Sequence, residues 1–480
     1  MDSRTEKEFS EIANALGWSI VFANGNLGIY SISRNDITHS FGYLSSYSKA
    51  AYQALESSVE IVFVSDVGYR SESIAKDARV YPSSDFLYVM TDWNMKALGI
   101  EPPVFNGTEL KPDTIRIIEE NPLQQIYTHL HSLTSKTVVK QVVKRHAKKE
   151  GIILDTDVID AKAEGVTYLV QNAIDYYDQV SSENMTQRLL NLYYGTIALM
   201  EAEMLISGDQ YKYLSEIEAI TTSGHGMTTF GAAETLRDFY VGVMDRGLFQ
   251  AWLNYRGINV SGFEKSRQKA EKSDFVISLD DLFRHIPELQ DIMQETEEDY
   301  KPYFLFPYYD SLFNHTTRLH GTVYEPEYPG SYVSFLNREG KADPKWERGL
   351  IEGFTAPFTI TGQYRERESV GWRTYLCHPK GTHHYECYHT HKGMNASMVI
   401  SPLFGRTDDW EVFAVMILYA LSIIVRYLPN LWTRIMHGDL DYYKALLYQF
   451  SRVAERELTQ IFLERMTGKK ILLIHPQGLI

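Results

Sequence analysis

Residues 184–205 carry apolar side chains around most of their circumference when they are placed on a helix. Asn184 is suited to cap the first turn, and Gly208 lies where such a helix would end. A helix without a polar face cannot lie on a protein surface, because other elements must cover its apolar side chains. The chain is therefore predicted to fold around this helix.

A second apolar segment lies near the C-terminus, where residues 412–425 read VFAVMILYALSIIV. These fourteen residues fall short of the roughly 20 that cross a bilayer, so a buried helix and no membrane contact are predicted. Asp408 and Glu411 have the spacing of a capping box, and Pro429 is expected to break or kink the helix. The two apolar segments predict one helical body.

Composition narrows the class of protein. The net charge of −15 argues against a surface coated for nucleic-acid binding, and two cysteines in 480 residues predict a reducing compartment. The charged start MDSRTEKEFSEI predicts no secretory signal, so we expect a cytoplasmic protein. The 33 tyrosines predict large cores rimmed by tyrosine, and the alternative is a special ligand surface. Tyrosine also suits wide half-buried interfaces, so a protein partner or self-association is expected.

The order of these patterns predicts an α+β fold in three parts. Residues 1–100 read as a small α/β domain, residues 101–114 as a linker rich in Pro and Gly, and residues 115–480 as a mainly helical body. Within that body, residues 300–405 alternate Pro, Gly, Tyr and β-branched residues and predict a strand-rich insertion.

The N-terminal part is predicted to contain helices at 6–18 and 45–58, a hairpin turning at Asn24-Gly25, and strands at 59–68 and 86–91. This order is similar to that of restriction-endonuclease-like folds, whose sites use a carboxylate pair and a lysine around a metal. Glu60 and Asp66 offer carboxylates, but no lysine stands two residues after Glu60. A binding or docking module is therefore the simpler prediction.

Four stretches carry a family resemblance: LLNLYYGTIALMEAEML (189–205), SGHGM (223–227), LDDLFRHIPELQ (279–290) and LYALSIIVRYLPNLW (418–432). In this order and spacing the chain resembles the YaaC-like family of bacterial intracellular proteins over residues 123–480. The resemblance implies a mainly helical cytosolic protein and makes the first hundred residues an added module. Such modules often accompany bacterial defence or stress systems, so this analogy implies a setting in antiviral defence.

Two residues in these stretches are candidates for chemistry. His225 lies between glycines, which allow a sharp turn and leave the imidazole accessible to a ligand. Arg426 follows an apolar helical run, so its guanidinium is expected to be partly buried and to need a carboxylate, phosphate or carbonyl partner. At Arg426 a structural ion pair is the alternative to an anion site. The two residues are expected to share a pocket.

A nuclease is the alternative to a protein that acts by binding a partner or ligand. HEPN ribonucleases carry an Arg followed four to six residues later by a His on one helix. Here only Arg373 and His378 have that spacing, in a strand-like stretch, and Arg426 and His437 are too far apart. Phosphate loops, dinucleotide fingerprints, nucleophile elbows and kinase signatures are absent from the sequence.

The stretch CHPKGTHHYECYHTHKG (377–393) contains both cysteines and five histidines. It is predicted to form a hairpin with residues 379–382 as its loop, and thiolate and imidazole are ligands that zinc prefers. Two partial ligand sets for zinc follow from the spacing: Cys387, His389 and His391, or alternatively Cys377, His378 and His383. Neither supplies four ligands, so a metal-free hairpin whose aromatic face packs on the core is the alternative.

A basic stripe is predicted on the helix KTVVKQVVKRHAKK (136–149). Its lysines recur four residues apart, opposite a row of valines, at Lys136, Lys140, Lys144 and Lys148. Such a stripe fits the phosphates of a nucleic acid or an acidic partner. The alternative is the solvated face of a surface helix.

Overall fold

The computed structural model describes residues 3–24, 28–65, 79–101, 114–118, 121–180, 184–297, 300–305, 307–309, 327–328, 330–336, 358–366, 369–377, 389–391 and 396–474. The chain divides into two compact units. The first, here the β-rich unit, comprises Met1–Gly107, Leu305–Thr390 and Ala396–Val399. The second, here the helical unit, comprises Thr108–Phe304, His391–Asn395 and Ile400–Ile480.

The N-terminal part of the β-rich unit is a mixed five-stranded sheet with helices. Its elements are α1 (Ser3–Ala15), β1 (Ser19–Asn24), β2 (Ile29–Arg34), β3 (Ile37–Leu44), α2 (Lys49–Leu55), β4 (Ile61–Val64), β5 (Val80–Pro82), a 3₁₀ turn (Ser83–Asp85) and α3 (Phe86–Ala97). The strands lie in the order β1-β2-β3-β4-β5. The first three are antiparallel neighbours, and β3, β4 and β5 run parallel.

Aromatic side chains form the core of this sheet. Phe9 of α1 stacks on Phe86 of α3, and both contact Phe41 and Phe63 of the sheet. The predicted antiparallel pairing is confirmed, because β1 and β2 pair with Asn24 opposite Ile29, while Gly25 of the predicted turn lies outside the described residues. The predicted strand at 86–91 is wrong, because these residues begin α3. A short apolar run has no period that separates a buried strand from a buried helix.

The rest of the β-rich unit lies within the predicted strand-rich segment. It contains β11 (Pro307–Tyr309), β12 (Gly330–Leu336), β13 (Phe358–Glu366) and β14 (Ser369–Cys377), in a sheet of order β11-β12-β14-β13. All neighbours in this sheet are antiparallel. Three further strands of the segment are β10 (Phe304–Leu305), β15 (His389–His391) and β16 (Ala396–Ile400).

The observed division differs from the predicted one, which kept residues 300–405 with the helical body. Tyr328 shows the physical reason, because its side chain is 1% exposed and belongs to the aromatic core of the N-terminal sheet. The carboxylate of Asp92 accepts hydrogen bonds from the backbone N–H groups of Glu327 (3.0 Å) and Tyr328 (3.2 Å). Residues 102–113 of the predicted linker lie outside the described residues.

The helical unit begins with β6 (Thr114–Ile118), which pairs in parallel with the last strand, β17 (Lys470–Ile474). Its helices are α4 (Pro122–Ser132), α5 (Lys136–Glu150), α6 (Thr156–Asp178), α7 (Met185–Ile206), α8 (Leu214–Thr222), α9 (Leu248–Tyr255), α10 (Arg267–Ala270), α11 (Leu279–Arg284), a 3₁₀ turn (Pro287–Leu289), α12 (Gln290–Thr296), α13 (Trp410–Tyr427), α14 (Pro429–His437) and α15 (Tyr443–Thr467). A small antiparallel sheet joins β7 (Met227–Phe230), β8 (Tyr240–Val243) and β9 (Val276–Ser278).

The predicted central helix is α7, and it is buried on nearly every side. The Asn184 side chain accepts a hydrogen bond from Gln187 N at 3.1 Å, as an N-cap does. Gly195 allows α6 to approach closely, because a Cβ at this position would lie 2.9 Å from the ring of Tyr177. The predicted α+β fold class, with a mainly helical body, is confirmed by these elements.

The second apolar segment forms α13, which ends before Pro429 as predicted. Among the described residues α13 alone has the length and apolarity of a bilayer-spanning helix, and 78% of that window is buried inside the protein. The predicted capping box is wrong, because Asp409 is the N-cap residue and Glu411 turns inward to two arginines. A buried ion pair competes with local capping for the same carboxylate.

Candidate functional site

The loop that carries His225 is held by the main chain of α9. The carbonyl oxygens of Gly224 and His225 accept hydrogen bonds from Leu248 N and Phe249 N, each at 3.0 Å. These are the first two N–H groups of α9, which the helix itself leaves without partners. Gly226 has φ +83°, and a Cβ there would lie 2.9 Å from Phe249 N. The glycines of SGHGM therefore let two backbone segments meet.

The imidazole of His225 packs against two buried tyrosines. Its Nδ1 lies 3.0 Å from the hydroxyl of Tyr193, in the middle of α7. Its ring centroid lies 5.8 Å from that of Tyr193 and 6.0 Å from that of Tyr419 on α13. The Tyr419 hydroxyl donates to Met227 O at 2.9 Å, which ties α13 to the strand after the loop. Three elements thus orient one half-buried histidine.

Arg426 enters the same cluster from the last turn of α13. Its Nε donates to Ser422 O at 2.9 Å, and an Nη donates to the hydroxyl of Tyr194 at 3.1 Å. The guanidinium lies over the rings of Tyr194 (5.9 Å) and Tyr427 (5.1 Å). Within the part of the chain that the structure describes, no carboxylate forms an ion pair with Arg426. The predicted structural ion pair is thus not formed by the described residues.

The charges at this cluster act on one another. Burial lowers the pKa of His225, and the positive charge of Arg426 lowers it further. The imidazole is therefore mostly neutral at pH 7. Burial raises the pKa of Tyr419 to about 12, although the charges of Arg426 and Arg267 act in the opposite direction. The positive charges of the two arginines thus make the potential at this cluster positive.

We call this group, Tyr193, Tyr194, His225, Tyr419 and Arg426, the Tyr–His–Arg cluster. The shared pocket of His225 and Arg426 stays a prediction. His225 contacts Tyr193 and Arg426 contacts Tyr194, and the rings of these two neighbouring tyrosines lie 5.3 Å apart. The three tyrosines of the cluster were not predicted as site residues. The seven-residue spacing of Tyr419 and Arg426, which places both on one face of a helix, could have indicated the first of them.

The basic stripe lies on α5, with Val139, Val142 and Val143 buried on the opposite face. Two of its lysines form ion pairs with α6: Lys136 with Glu164 at 3.1 Å, and Lys140 with Asp160 at 2.7 Å. Lys144 and Lys148 are exposed. Because the paired groups are all substantially exposed, these ion pairs contribute little stability and exchange easily with other anions.

The strand that precedes the predicted His-rich hairpin has a partner on each edge. β14, which ends at Cys377, pairs along one edge with β12 and along the other with β13. Residues 378–388 of the predicted hairpin lie outside the described residues. His389 and His391 lie on β15, in another sheet.

Three of the candidate zinc ligands, His378, His383 and Cys387, lie outside the described residues. Within the described ranges, no cluster of three or more His, Cys, Asp or Glu side chains could hold a metal ion.

The nuclease patterns remain incomplete in the described residues. Glu60 accepts a hydrogen bond from Ser40 N (3.3 Å) and lies 2.9 Å from Nδ1 of His39, while Asp66 lies outside the described ranges. Arg373 lies on strand β14, and His437 lies on α14, the helix after the one that carries Arg426. No described helix therefore carries the Arg–His spacing of HEPN ribonucleases.

Comparison with known proteins gives one match. A family model described as YaaC-like protein matches residues 131–466, which is more than half of the chain. The chain belongs to the YaaC-like protein family. The match contains all five residues of the Tyr–His–Arg cluster and most of the helical unit of this YaaC-like chain. No curated protein and no solved structure matches the chain.

Proposed function

We propose that this YaaC-like protein is a cytoplasmic ligand-binding protein whose Tyr–His–Arg cluster recognises an organic phosphate, with a nucleoside phosphate as the best fit. The observation that carries the proposal is Arg426, a half-buried cation whose described partners are neutral hydroxyl and carbonyl groups. Removing a guanidinium from water without a counter-ion is unfavourable, so the site gains stability when an anion binds.

A phosphate suits the charge of the site. Arg267 donates to Thr229 O at 2.8 Å, on the strand after the His225 loop, and its positive charge acts on Tyr419 as that of Arg426 does. Two arginines match a dianion better than a single carboxylate. Neutral His225 adds a hydrogen-bond donor or acceptor through its second ring nitrogen, since its Nδ1 faces Tyr193.

A planar group beside the phosphate suits the aromatic rings. Tyr427 is 64% exposed, and its ring lies 5.1 Å from the Arg426 guanidinium. Tyr176 is 37% exposed and stacks on Tyr194, with ring centroids 5.6 Å apart. Exposed rings next to an arginine provide faces on which a nucleobase can stack. This argument favours a nucleotide over inorganic phosphate.

Isothermal titration calorimetry at pH 7 with adenosine 5′-monophosphate, adenosine and inorganic phosphate tests the proposal. We expect the nucleotide to bind tightest. Arg426→Gln should weaken its binding about 10- to 100-fold, because a charged hydrogen bond contributes about 1.5–3 kcal/mol. Tyr427→Ala should weaken nucleotide binding and leave phosphate binding unchanged.

Arg434→Gln is the matched control for these variants. Arg434 lies on the neighbouring helix α14 and forms ion pairs with Asp439 (2.7 Å) and Glu234 (3.1 Å). Its loss should leave nucleotide binding unchanged. Equal weakening by Arg426→Gln and Arg434→Gln would show a diffuse charge effect, and no binding of either phosphate probe would refute the proposal.

Metal-independent RNA cleavage is a second candidate function, because one observation favours it. His225 has a lowered pKa and a hydrogen bond that fixes its orientation, as a general base requires, and Arg426 could stabilise a developing negative charge. Incubation with labelled RNA and labelled DNA in EDTA tests this reading. Cleavage of RNA that His225→Ala abolishes would support it, and intact RNA with the wild-type protein would refute it.

A protein partner or self-association remains part of the proposal. It is supported by exposed tyrosines on the helical unit, with exposed fractions of 56% for Tyr168, 46% for Tyr213 and 41% for Tyr442. Light scattering of the purified chain tests self-association. The defence setting rests on analogy, and phage challenge of cells that produce wild-type or Arg426→Gln protein tests it.

A further inference from the structure

A cavity lies beside the loop that carries His225. It has a volume of about 420 Å³, opens to solvent, and lies between α8, α9 and the loop. Ser223 and Gly247 line it, whereas none of the residues of the Tyr–His–Arg cluster does. The cavity is thus separate from the proposed phosphate site, and its size is within the range of small-molecule sites.

One wall of this cavity is a row of polar side chains. Arg246, Gln250 and Asn254 line the cavity and follow one another at intervals of four residues, so they lie along one face of α9 and the turn before it. The structure shows no side-chain hydrogen bond from these three residues to another described residue. Their donors are therefore available to a ligand, apart from bonds to water.

The rest of the lining is uncharged and includes apolar side chains. Ala219 and Ile220 of α8 and Ala251 of α9 provide methyl and methylene groups. No Asp or Glu is among the described residues that line the cavity. Arg246 is therefore the charged group there, and the cavity attracts an anion that also carries an apolar body.

We propose that this cavity binds a small organic carboxylate with an apolar body. A single guanidinium matches one carboxylate through two parallel hydrogen bonds. The amides of Gln250 and Asn254 offer further donors, and the α8 wall covers the apolar body. An organic phosphate would leave part of its charge uncompensated, because the cavity has one arginine rather than two.

The test is a titration of the full chain with benzoate, measured by saturation-transfer NMR and by calorimetry. Inorganic phosphate is the second probe. Benzoate should bind and inorganic phosphate should bind at least tenfold more weakly at this cavity. Arg246→Gln should weaken benzoate binding about tenfold or more. Ala251→Trp places an indole in the cavity from α9 and should abolish benzoate binding. Arg434→Gln, outside the cavity, should leave it unchanged.

Circular dichroism and thermal melting establish that each variant is folded before binding is compared. Benzoate binding that persists in Ala251→Trp would overturn the proposal, as would equal affinities in Arg246→Gln and wild type. The outcome is independent of the nucleotide experiment. Nucleotide binding lost in Arg426→Gln with benzoate binding retained would separate the two sites.

Discussion

Glu411 should contribute strongly to the stability of the helical unit. It is 3% exposed, at the start of α13. Nη1 of Arg256 lies 2.5 Å from Oε1 of Glu411, and Arg465 donates to the same oxygen. Glu411 thus pairs with two arginines, Arg256 just after α9 and Arg465 on α15, and Asp409 also pairs with Arg256 at 2.7 Å. Glu411→Gln keeps the shape of the side chain and removes its charge.

The magnitude follows from the pKa of Glu411. Burial alone would raise this pKa, but the charges of Arg465 and Arg256 lower it to about 2, against an ordinary value of 4.5. The difference between these two pKa values corresponds to about 3 kcal/mol of stability at pH 7. Removal of one partner from a buried ion pair destabilises by about 3–5 kcal/mol. We therefore expect Glu411→Gln to lower the free energy of unfolding by about 3–5 kcal/mol.

Urea denaturation followed by tryptophan fluorescence measures this loss between pH 7 and pH 2.5. A carboxylate whose pKa is lowered in the folded state stabilises the protein above its unfolded pKa, and this stabilisation is lost as the pH falls towards the folded pKa. The difference between wild type and Glu411→Gln should therefore be full at pH 7 and shrink as the pH falls from about 4.5 towards 2.

Glu203→Gln is the matched control, because Glu203 is buried in the same network. Its Oε2 accepts from Trp252 Nε1 at 2.8 Å, and Arg465 lies 3.7 Å away. Burial raises the pKa of Glu203, since these partners do not offset the loss of water. Its charge therefore contributes less, and we expect a loss of about 1 kcal/mol or less. Equal losses in the two variants, or a Glu411 effect independent of pH, would refute this reasoning.

Three further outcomes are expected. Burial lowers the pKa of His285 to about 4. The unfolded chain therefore takes up a proton at this histidine first, and stability should fall by about 3 kcal/mol as the pH drops from about 6.5 to 4. Urea denaturation of His285→Gln should not show this fall. Gly226→Ala should destabilise more than Gly257→Ala in thermal melts, because both have positive φ but only a Cβ at 226 meets backbone, at Phe249 N; Gly257→Ala should lose about 1–2 kcal/mol. Lys140→Glu should change stability by less than about 1 kcal/mol, since its ion pair is exposed. If the same substitution leaves RNA binding in fluorescence anisotropy unchanged, the basic stripe is a solvated helix face without a binding role.

The fold was predictable where one element carries its own pattern. The apolar circumference of residues 184–205, the cap at Asn184 and the break at Pro429 are local features, and each appears in the structure. The strands β6 and β17 were not predicted. They pair residue 114 with residue 470, and neither five-residue strand has a sequence pattern that identifies so distant a partner.

The candidate site was predictable in part for the same reason. Glycines beside His225 and an arginine at the end of an apolar helix are visible in the sequence. Tyr193 and Tyr419 are not distinguishable there from other core aromatics, because their role depends on three elements meeting. Likewise, the sequence shows the lysines of α5 but not the acidic residues of α6 that pair with two of them.

The loop at residues 223–226 is held in place by its backbone and not by the side chain of His225. It holds α9 through carbonyl oxygens, which every amino acid possesses, while the group at position 225 projects into the cluster. Replacing that group removes a bond to Tyr193 but none of the bonds to the helix. The side chain at position 225 can therefore be changed without loss of the backbone hydrogen bonds that hold the loop. A series of substitutions there would compare the reactivity of different side chains at one fixed backbone position.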